Sequence, residues 1–265
     1  MARTKNAWIN IVFLIITLGI NTLGALGIIN GLSQKEVSDM FLTLITPSPS
    51  TFSIWSVIYA LLIISMIIMI IKKDDTYYQD AIDEITGLFR ISCLLNIIWI
   101  VAFSYLQIEL STLFILAFVV VLTMICTKLK NIQRNKRLLL PLTFGLYTGW
   151  LFIASVVNIA ATLVKLEWNG FGIGEEIWAV FTLLIAIVLI FLVLQKIKNA
   201  AFPLPVAWAF YGIYTFLNSP EGFSGEFTLL QNTTLVGIAI LIIMSGVQLY
   251  QNNFAVLPNN LASKK

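Results

Sequence analysis

The chain contains no histidine, and only 11% of its 265 residues are charged. Without histidine it lacks the commonest metal ligand and the commonest acid or base near neutral pH. Soluble domains carry about 25% charged residues, and a soluble fold of this size could not hide a composition that is 59% hydrophobic. The composition therefore predicts an all-α fold, a polytopic helical membrane bundle with lipid as the solvent for much of the chain.

Groups that could perform chemistry are equally scarce. Cys93 and Cys126 both lie inside apolar runs, where a thiol is more often a small core residue than half of a redox pair. The middles of these runs hold no Asp, Glu or Lys, and no phosphate-binding, zinc-protease or CxxC motif occurs. We therefore expect no enzymatic activity, no metal and no nucleic-acid partner. Glu109, near the outer rim, is the carboxylate whose entry into a central cavity would count against this expectation.

Eight apolar runs approach the roughly 20 residues that a helix needs to cross a bilayer. They are Trp8–Ile29, Phe52–Ile71, Gly87–Leu106, Leu110–Thr127, Leu138–Val164, Ile177–Leu194, Ala200–Leu217 and Thr233–Tyr250. The first run exceeds the apolar core of a signal peptide, about 7–15 residues, and we interpret it as a retained span. The seventh is the weakest, since Pro203 and Pro205 predict an irregular or interfacial first turn.

Basic residues fall almost entirely on one side of this eight-span arrangement. With both termini in the cytoplasm, only Lys35 and Lys165 of the 16 Lys and Arg residues lie outside. Because cytoplasmic loops are rich in Lys and Arg, we expect a multi-pass protein of the cell membrane. The outward segments would be Asn30–Thr51, Leu166–Glu176 and Ser219–Asn232.

Two loops carry a structural expectation. The first outer segment contains Pro47 and Pro49, and we expect it to form an ordered lid rather than a flexible linker. The cytoplasmic loop Lys72–Glu84 is acidic after its two lysines, and there we expect a solvated connection.

Amides and indoles are the polar groups left at depth. Asn96 and Trp99 lie mid-span and three residues apart, so they share a helix face that should point inward. Membrane Asn often only bonds a neighbouring helix, and Trp55, at a span end, would often only mark the interface. A mid-span Trp needs a partner for its N–H, and an aromatic-lined cavity suits a flat, mostly apolar ligand. On the residues alone, a ligand cavity and plain helix packing stay equally open.

Three sequence blocks occur in order on the second, third and fifth predicted spans. They are the proline-rich residues 47–59 with Phe52, Trp55 and Tyr59; the Leu-Asn-x-x-Trp of Leu95–Trp99; and Pro141, Trp150, Ala154 and Asn158. Together they resemble the family of tryptophan-rich sensory proteins (TspO) and translocator proteins, although Phe52 stands three rather than four residues before Trp55.

The resemblance covers about residues 8–164 and implies a five-helix bundle. Such a bundle would bind porphyrins, sterols and other flat hydrophobic ligands in a pocket under the first loop. We accordingly divide the chain into a five-helix TspO-like ligand-binding half, residues 1–164, and a three-helix C-terminal membrane extension, residues 165–265. The expected ligand-binding residues are Trp55, Asn96, Trp99, Trp150 and Asn158. The expected ligand is porphyrin- or sterol-like, a tetrapyrrole included, and no cofactor is expected.

Two main functions follow from this interpretation. The first is a small-molecule-binding or sensory membrane protein, with membrane lipids and a small hydrophobic ligand as partners and a homodimer left open. The alternative is a transporter or permease, because the pairs Trp55/Tyr59 and Trp208/Tyr211 would lie on helices of opposite direction, as in inverted repeats. A pocket enclosed by the first five spans alone would favour binding, and a two-fold relation between the halves would favour transport. A structural subunit of a membrane complex is a third option.

Overall fold

The protein is a bundle of long α-helices. A computed structural model describes residues 2–259, and within that range it contains no strand. Lys264 and Lys265, which the topology prediction places in the cytoplasm, lie outside the described residues. The helices are α1 (Ala2–Ala25), α2 (Gln34–Met40), α3 (Ile54–Ile71), α4 (Thr76–Ser104), α5 (Ile108–Ile132), α6 (Leu139–Lys165), α7 (Glu175–Ile197), α8 (Leu204–Asn218) and α9 (Thr228–Gln251).

Most of these helices are long enough to span a membrane, and two are not. Within residues 2–259, seven helices are long and apolar enough to cross a membrane, which leaves out only α2 and α8. The predicted helical membrane bundle is thereby confirmed. Helix α8 has 15 residues, which rise about 22 Å against a hydrocarbon core of about 30 Å. It corresponds to the seventh apolar run, the one that contains the two prolines.

A buried, non-helical segment precedes α8 and accounts for its shortness. Asn199 is fully buried, and its side chain donates a hydrogen bond to the Pro141 carbonyl at 2.8 Å. Gly149 of α6 admits this segment, since a Cβ atom there would lie 2.1 Å from the Phe202 carbonyl oxygen. Irregular backbone is tolerated at membrane depth only where protein buries it. The close approach to α6 therefore lets the chain penetrate the bundle before α8 begins.

Ion pairs mark one end of the bundle, which we call the inner end. Four ion pairs join α1, α5 and the loop between α5 and α6 to α4 and the loop before it: Arg3–Asp83, Lys128–Glu84, Arg134–Asp80 and Arg137–Asp75. The opposite or outer end carries α2, the loop between α2 and α3, and the pair Lys165–Glu109. The inner end is the one that the positive-inside rule predicts to be cytoplasmic.

The solvated connection expected at Lys72–Glu84 is limited to its first residues, since Lys72, Lys73 and Asp74 are exposed and the chain after them is helical. Helix α4 already begins at Thr76, and Tyr77 is only 1% exposed. The Arg137 guanidinium lies 5.4 Å from the centre of the Tyr77 ring, and the Arg134 guanidinium lies 6.0 Å from it. Charged side chains of the next inner loop thus cover the apolar surface of α4, an arrangement that the acidic composition of the loop could not reveal.

Candidate ligand cavity

A cavity of about 970 Å³ lies at the outer end of the bundle. Its walls come from α2 and the loop that follows it, from the outer parts of α3, α4 and α6, and from α8. Most of the lining is apolar, and the charged residues that line it, Lys35, Asp39 and Glu221, are exposed. A mostly apolar concavity of this size is typical of small-molecule sites, which occupy about 300–1,000 Å³.

Trp55 is the centre of an aromatic cluster that forms part of the cavity wall. Its ring stacks on Tyr59 at a centroid distance of 5.0 Å, and it lies 6.3 Å from Trp99. It also meets Trp150 and Tyr147 edge-on, each at 6.1 Å. The first turn of α3 therefore joins the outer parts of α4 and α6 through ring contacts, and each such pair stabilises by about 0.5–1.5 kcal/mol beyond its burial.

The indole N–H groups of Trp99 and Trp150 have no hydrogen-bond partner among the described residues. Trp99 is 7% exposed and Trp150 is 3% exposed, and both rings line the cavity. A buried donor without a partner costs about 1–3 kcal/mol. Five further buried side-chain atoms lack a partner among the described residues, but none of them belongs to a residue that lines the cavity. The two indoles therefore mark the cavity wall as the place where unpartnered donors meet an open volume.

Asn96 lies beneath the cavity and does not line it. It is fully buried, accepts a hydrogen bond from the Asn21 amide at 2.5 Å and donates one to the Tyr147 hydroxyl at 3.0 Å. The Tyr59 hydroxyl donates to the other end of the Asn21 amide at 2.8 Å. This network links α1, α3, α4 and α6, so Asn96 serves the packing of helices and the structure gives it no direct contact with a ligand in this cavity.

Asn158 lines the cavity, but its amide already has partners. Its side-chain oxygen accepts a hydrogen bond from the Ser111 hydroxyl at 3.0 Å, and its nitrogen donates to the Ala154 carbonyl at 3.2 Å. The structure thus brings four of the expected site residues, Trp55, Trp99, Trp150 and Asn158, to one cavity and leaves Asn96 below it. Which of them bind a ligand remains a prediction.

The outer segment between α1 and α3 forms an ordered lid over the cavity. Helix α2 begins with a capping box, in which Ser33 and Glu36 bond each other's backbone N–H groups. The backbone hydrogen bond from Ser33 lowers the pKa of Glu36 below its usual value. Val37 is fully buried and belongs to a small apolar cluster with Ile108 and Ala161. Local capping and this cluster together position the lid, as the proline spacing led us to expect.

The C-terminal end of the lid is bonded to α8. The backbone N–H of Ser48 donates to the Gly212 carbonyl at 3.0 Å, and the Trp208 indole donates to the Thr51 carbonyl at 2.9 Å. The Thr215 hydroxyl donates to the Ser48 hydroxyl at 3.1 Å. These contacts place a helix of the C-terminal region at the mouth of the cavity. The cavity is therefore not enclosed by the first five spans alone, the arrangement that would have distinguished binding from transport.

The sequence reasoning did not identify the residues that α8 contributes to the cavity. The signal available was the resemblance between the two proline-preceded Trp and Tyr pairs, which suggested an inverted repeat. In the structure, Trp208 of the second pair bonds the 3-10 turn Pro49–Ser53 that leads into α3. The pattern thus marks two chain segments that meet each other.

The cavity ends at a closely packed floor. Leu62, Phe89 and Phe144 lie on the inner side of the aromatic cluster, and each is at most 1% exposed. Phe89 and Phe144 meet edge-on with their ring centres 6.3 Å apart. The cavity is thus closed on its inner side.

Glu109 does not line the cavity and pairs with Lys165 at 2.6 Å.

Comparison with known proteins gives one finding. A family model described as "TSPO-like protein" matches residues 7–247. The match continues beyond residue 164, where the resemblance of the sequence blocks ended, and includes all of α7 and α8. No curated protein and no solved structure matches the chain significantly.

Proposed function

We propose that this chain, which belongs to the TSPO-like protein family, binds a small molecule within the membrane. Its described residues contain seven helices that are long and apolar enough to span a membrane. The ligand would be flat and mostly apolar and would carry a hydrogen-bond acceptor. The protein would act as a receptor or sensor in the cell membrane, with both termini in the cytoplasm.

The observation that carries this proposal is the pair of unpartnered indole donors. Trp99 and Trp150 each leave an N–H group without a partner in the wall of the same cavity. An acceptor on a bound molecule would remove the cost of both donors, whereas a purely apolar molecule would leave it in place. The Trp55 ring between them offers a stacking surface for a planar ligand.

A porphyrin or another tetrapyrrole fits this description, and so does a sterol with a polar group. The cavity of about 970 Å³ is at the upper end of the range for small-molecule sites. Lys35, at the exposed rim, pairs with Asp39, and a ligand carboxylate that extends out of the cavity would compete with Asp39 for its cation. We propose no metal site and no turnover chemistry here.

Transport is the less favoured function. A transporter would need a second state in which the packed floor of Leu62, Phe89 and Phe144 opens to the inner side. Binding needs only the outer cavity and its lid. We therefore place the ligand site above this floor.

A titration of the purified chain in detergent with protoporphyrin IX and, separately, with cholesterol tests the proposal. We expect saturable binding of at least one probe. For the porphyrin, the probe's own absorbance should be followed, so that replacing a tryptophan does not change the readout. Trp150→Phe should then weaken binding about tenfold, since the ring stays and the donor is lost.

Trp178→Phe is the matched control. The Trp178 indole also lies near the outer end, but it donates to the Gly170 carbonyl at 2.7 Å and does not line the cavity. The Trp178→Phe variant should therefore bind the probe with the same affinity as the unmodified chain. Equal affinity of the Trp150→Phe variant and the unmodified chain would contradict the role of the indole donors, and no binding of either probe would contradict the ligand classes proposed.

A further inference from the structure

The short helix α8 turns two adjacent stripes of side chains toward the N-terminal part of the protein. Ala209, Ile213 and Phe216 are spaced four and three residues apart and line the cavity. Residues so spaced fall on one helix face. All are at most 9% exposed, which shows that this face is enclosed by the protein.

The second stripe lies one residue before the first and holds the lid. Trp208, Gly212 and Thr215 repeat the same spacing, and each makes one of the contacts to Ser48 or Thr51. Gly212 permits the closest approach, because a Cβ atom there would lie 2.0 Å from the Thr51 hydroxyl oxygen. The lid and the cavity wall are therefore held by the same three turns of one helix.

We infer that the ligand site is a composite of the N-terminal five-helix half and the C-terminal region, in which α8 supplies the wall that limits ligand size and the contacts that hold the lid closed. This inference rests on the proposed function. It means that Ala209, Ile213 and Phe216 contact the bound molecule. The division of the chain into a ligand-binding half and an extension does not predict such contacts.

The geometry of α8 favours this role over one of simple support. Its non-helical entry segment is buried against Gly149 of α6, so the helix cannot easily move away from the five-helix half. Its other face packs on α9, where Phe210 fills the space left by Gly237. A wall fixed on both sides gives a cavity a defined width, and packed surfaces of this kind resist small changes of volume.

The first test is independent of any ligand. The hydroxyl oxygens of Ser48 and Thr215 lie 3.1 Å apart, so Ser48→Cys combined with Thr215→Cys should form a disulfide on mild oxidation in native membranes. The combination of Ser48→Cys with Thr233→Cys, on α9, should not. Mass spectrometry of peptides detects the bridge. Absence of the 48–215 bridge would overturn the inference whatever the protein binds.

The second test uses protoporphyrin IX as the probe with the full-length chain in detergent. Ala209→Leu adds bulk inside the cavity and should weaken binding about tenfold; Phe216→Ala removes a wall contact and should act in the same direction. Phe181→Ala, on the lipid-exposed face of α7, is the control and should leave binding unchanged. Phe216→Ala removes buried packing, whereas Ala209→Leu removes none. The result with Ala209→Leu therefore tests the inference even where Phe216→Ala does not fold.

The outcomes separate this inference from the function on which it rests. If the unmodified chain binds the porphyrin and both α8 variants bind it within about twofold, the composite site is refuted and the proposed function stands. If the unmodified chain does not bind the porphyrin, the inference fails together with the porphyrin-binding function. Weakening by Ala209→Leu with normal binding by Phe181→Ala supports the composite site.

Discussion

The middle of the bundle and the wall of the outer cavity differ in how their buried polar groups are satisfied. In the middle of the bundle, polar side chains bond one another across helices: Ser65 bonds Thr143 at 2.9 Å, and Asn96 bonds Asn21 and Tyr147. In the cavity wall, two indole donors are left without partners around an open volume. A stable bundle requires the first arrangement, since unsatisfied groups are costly in hydrocarbon. The second is understandable where another molecule completes the hydrogen bonds, and this contrast locates the candidate site.

The largest expected effect comes from breaking the packing of α6 against the buried segment that precedes α8. Gly149→Val places side-chain atoms where the Phe202 carbonyl now lies, and backbone cannot rotate away as a side chain can. We expect a loss of about 3 kcal/mol in the free energy of unfolding, measured by thermal unfolding in detergent. Gly19→Val is the control, because a Cβ atom at that position meets nothing within 4 Å. Equal stability of the two variants would show that residues 199–203 do not pack on α6 as described.

An intermediate effect is expected in the hydrogen-bond network that lies beneath the cavity. Asn96→Leu keeps the volume of the side chain but leaves the Asn21 and Tyr147 groups without their partner. We expect a loss of about 2 kcal/mol in stability. Asn131→Leu, at the exposed inner end of α5, should change stability little.

A double-mutant cycle sharpens this prediction. Combining Asn96→Leu with Tyr147→Phe should cost less than the sum of the two single changes, because both remove the same hydrogen bond. Additive losses would show that the network is not formed. Ligand affinity, measured on the folded Asn96→Leu variant, should stay close to that of the unmodified chain, since Asn96 does not line the cavity.

The smallest expected effect concerns the cavity wall, where removing an unpartnered donor should cost less stability than removing a bonded one. Trp99→Phe removes a buried donor that has no partner, whereas Trp178→Phe removes a donor bonded to Gly170. The free energy of unfolding of Trp99→Phe should therefore exceed that of Trp178→Phe by about 1–2 kcal/mol without ligand. Thermal unfolding of both variants measures this difference. If Trp99→Phe were the less stable of the two, the Trp99 indole would have a structural role that the open cavity does not suggest.

Much of the fold could be predicted because lipid imposes a simple requirement on sequence. Runs of about 20 apolar residues identified each spanning helix, as at Leu138–Val164, which became α6 from Leu139 to Lys165. The part that resisted prediction was the seventh run. Its prolines signalled an irregular start, but the depth of residues 199–203 depends on Gly149, which lies some 50 residues away in the sequence.

The residues that line the candidate cavity could be predicted in part, for a similar reason. Mid-span tryptophans are rare enough to be noticed in a sequence, and Trp99 and Trp150 indeed line one cavity with Trp55. Asn96 was expected beside them, and one helical turn separates it from the cavity. A periodic pattern gives the face of a helix on which a residue lies, but the depth at which helices part to leave a cavity depends on the side chains of their neighbours.

The sequence by itself determined that this protein is a helical membrane bundle, because composition and run length decide whether a segment can leave water. It also determined which faces carry indoles and amides, because helical periodicity is a local property. Only the tertiary structure decided that Asn96 is satisfied while Trp99 and Trp150 are not, and that α8 joins the first five spans at the cavity. Those outcomes depend on which distant residues meet, and the physical reason is that a hydrogen bond or a cavity wall requires a partner that the local sequence does not contain.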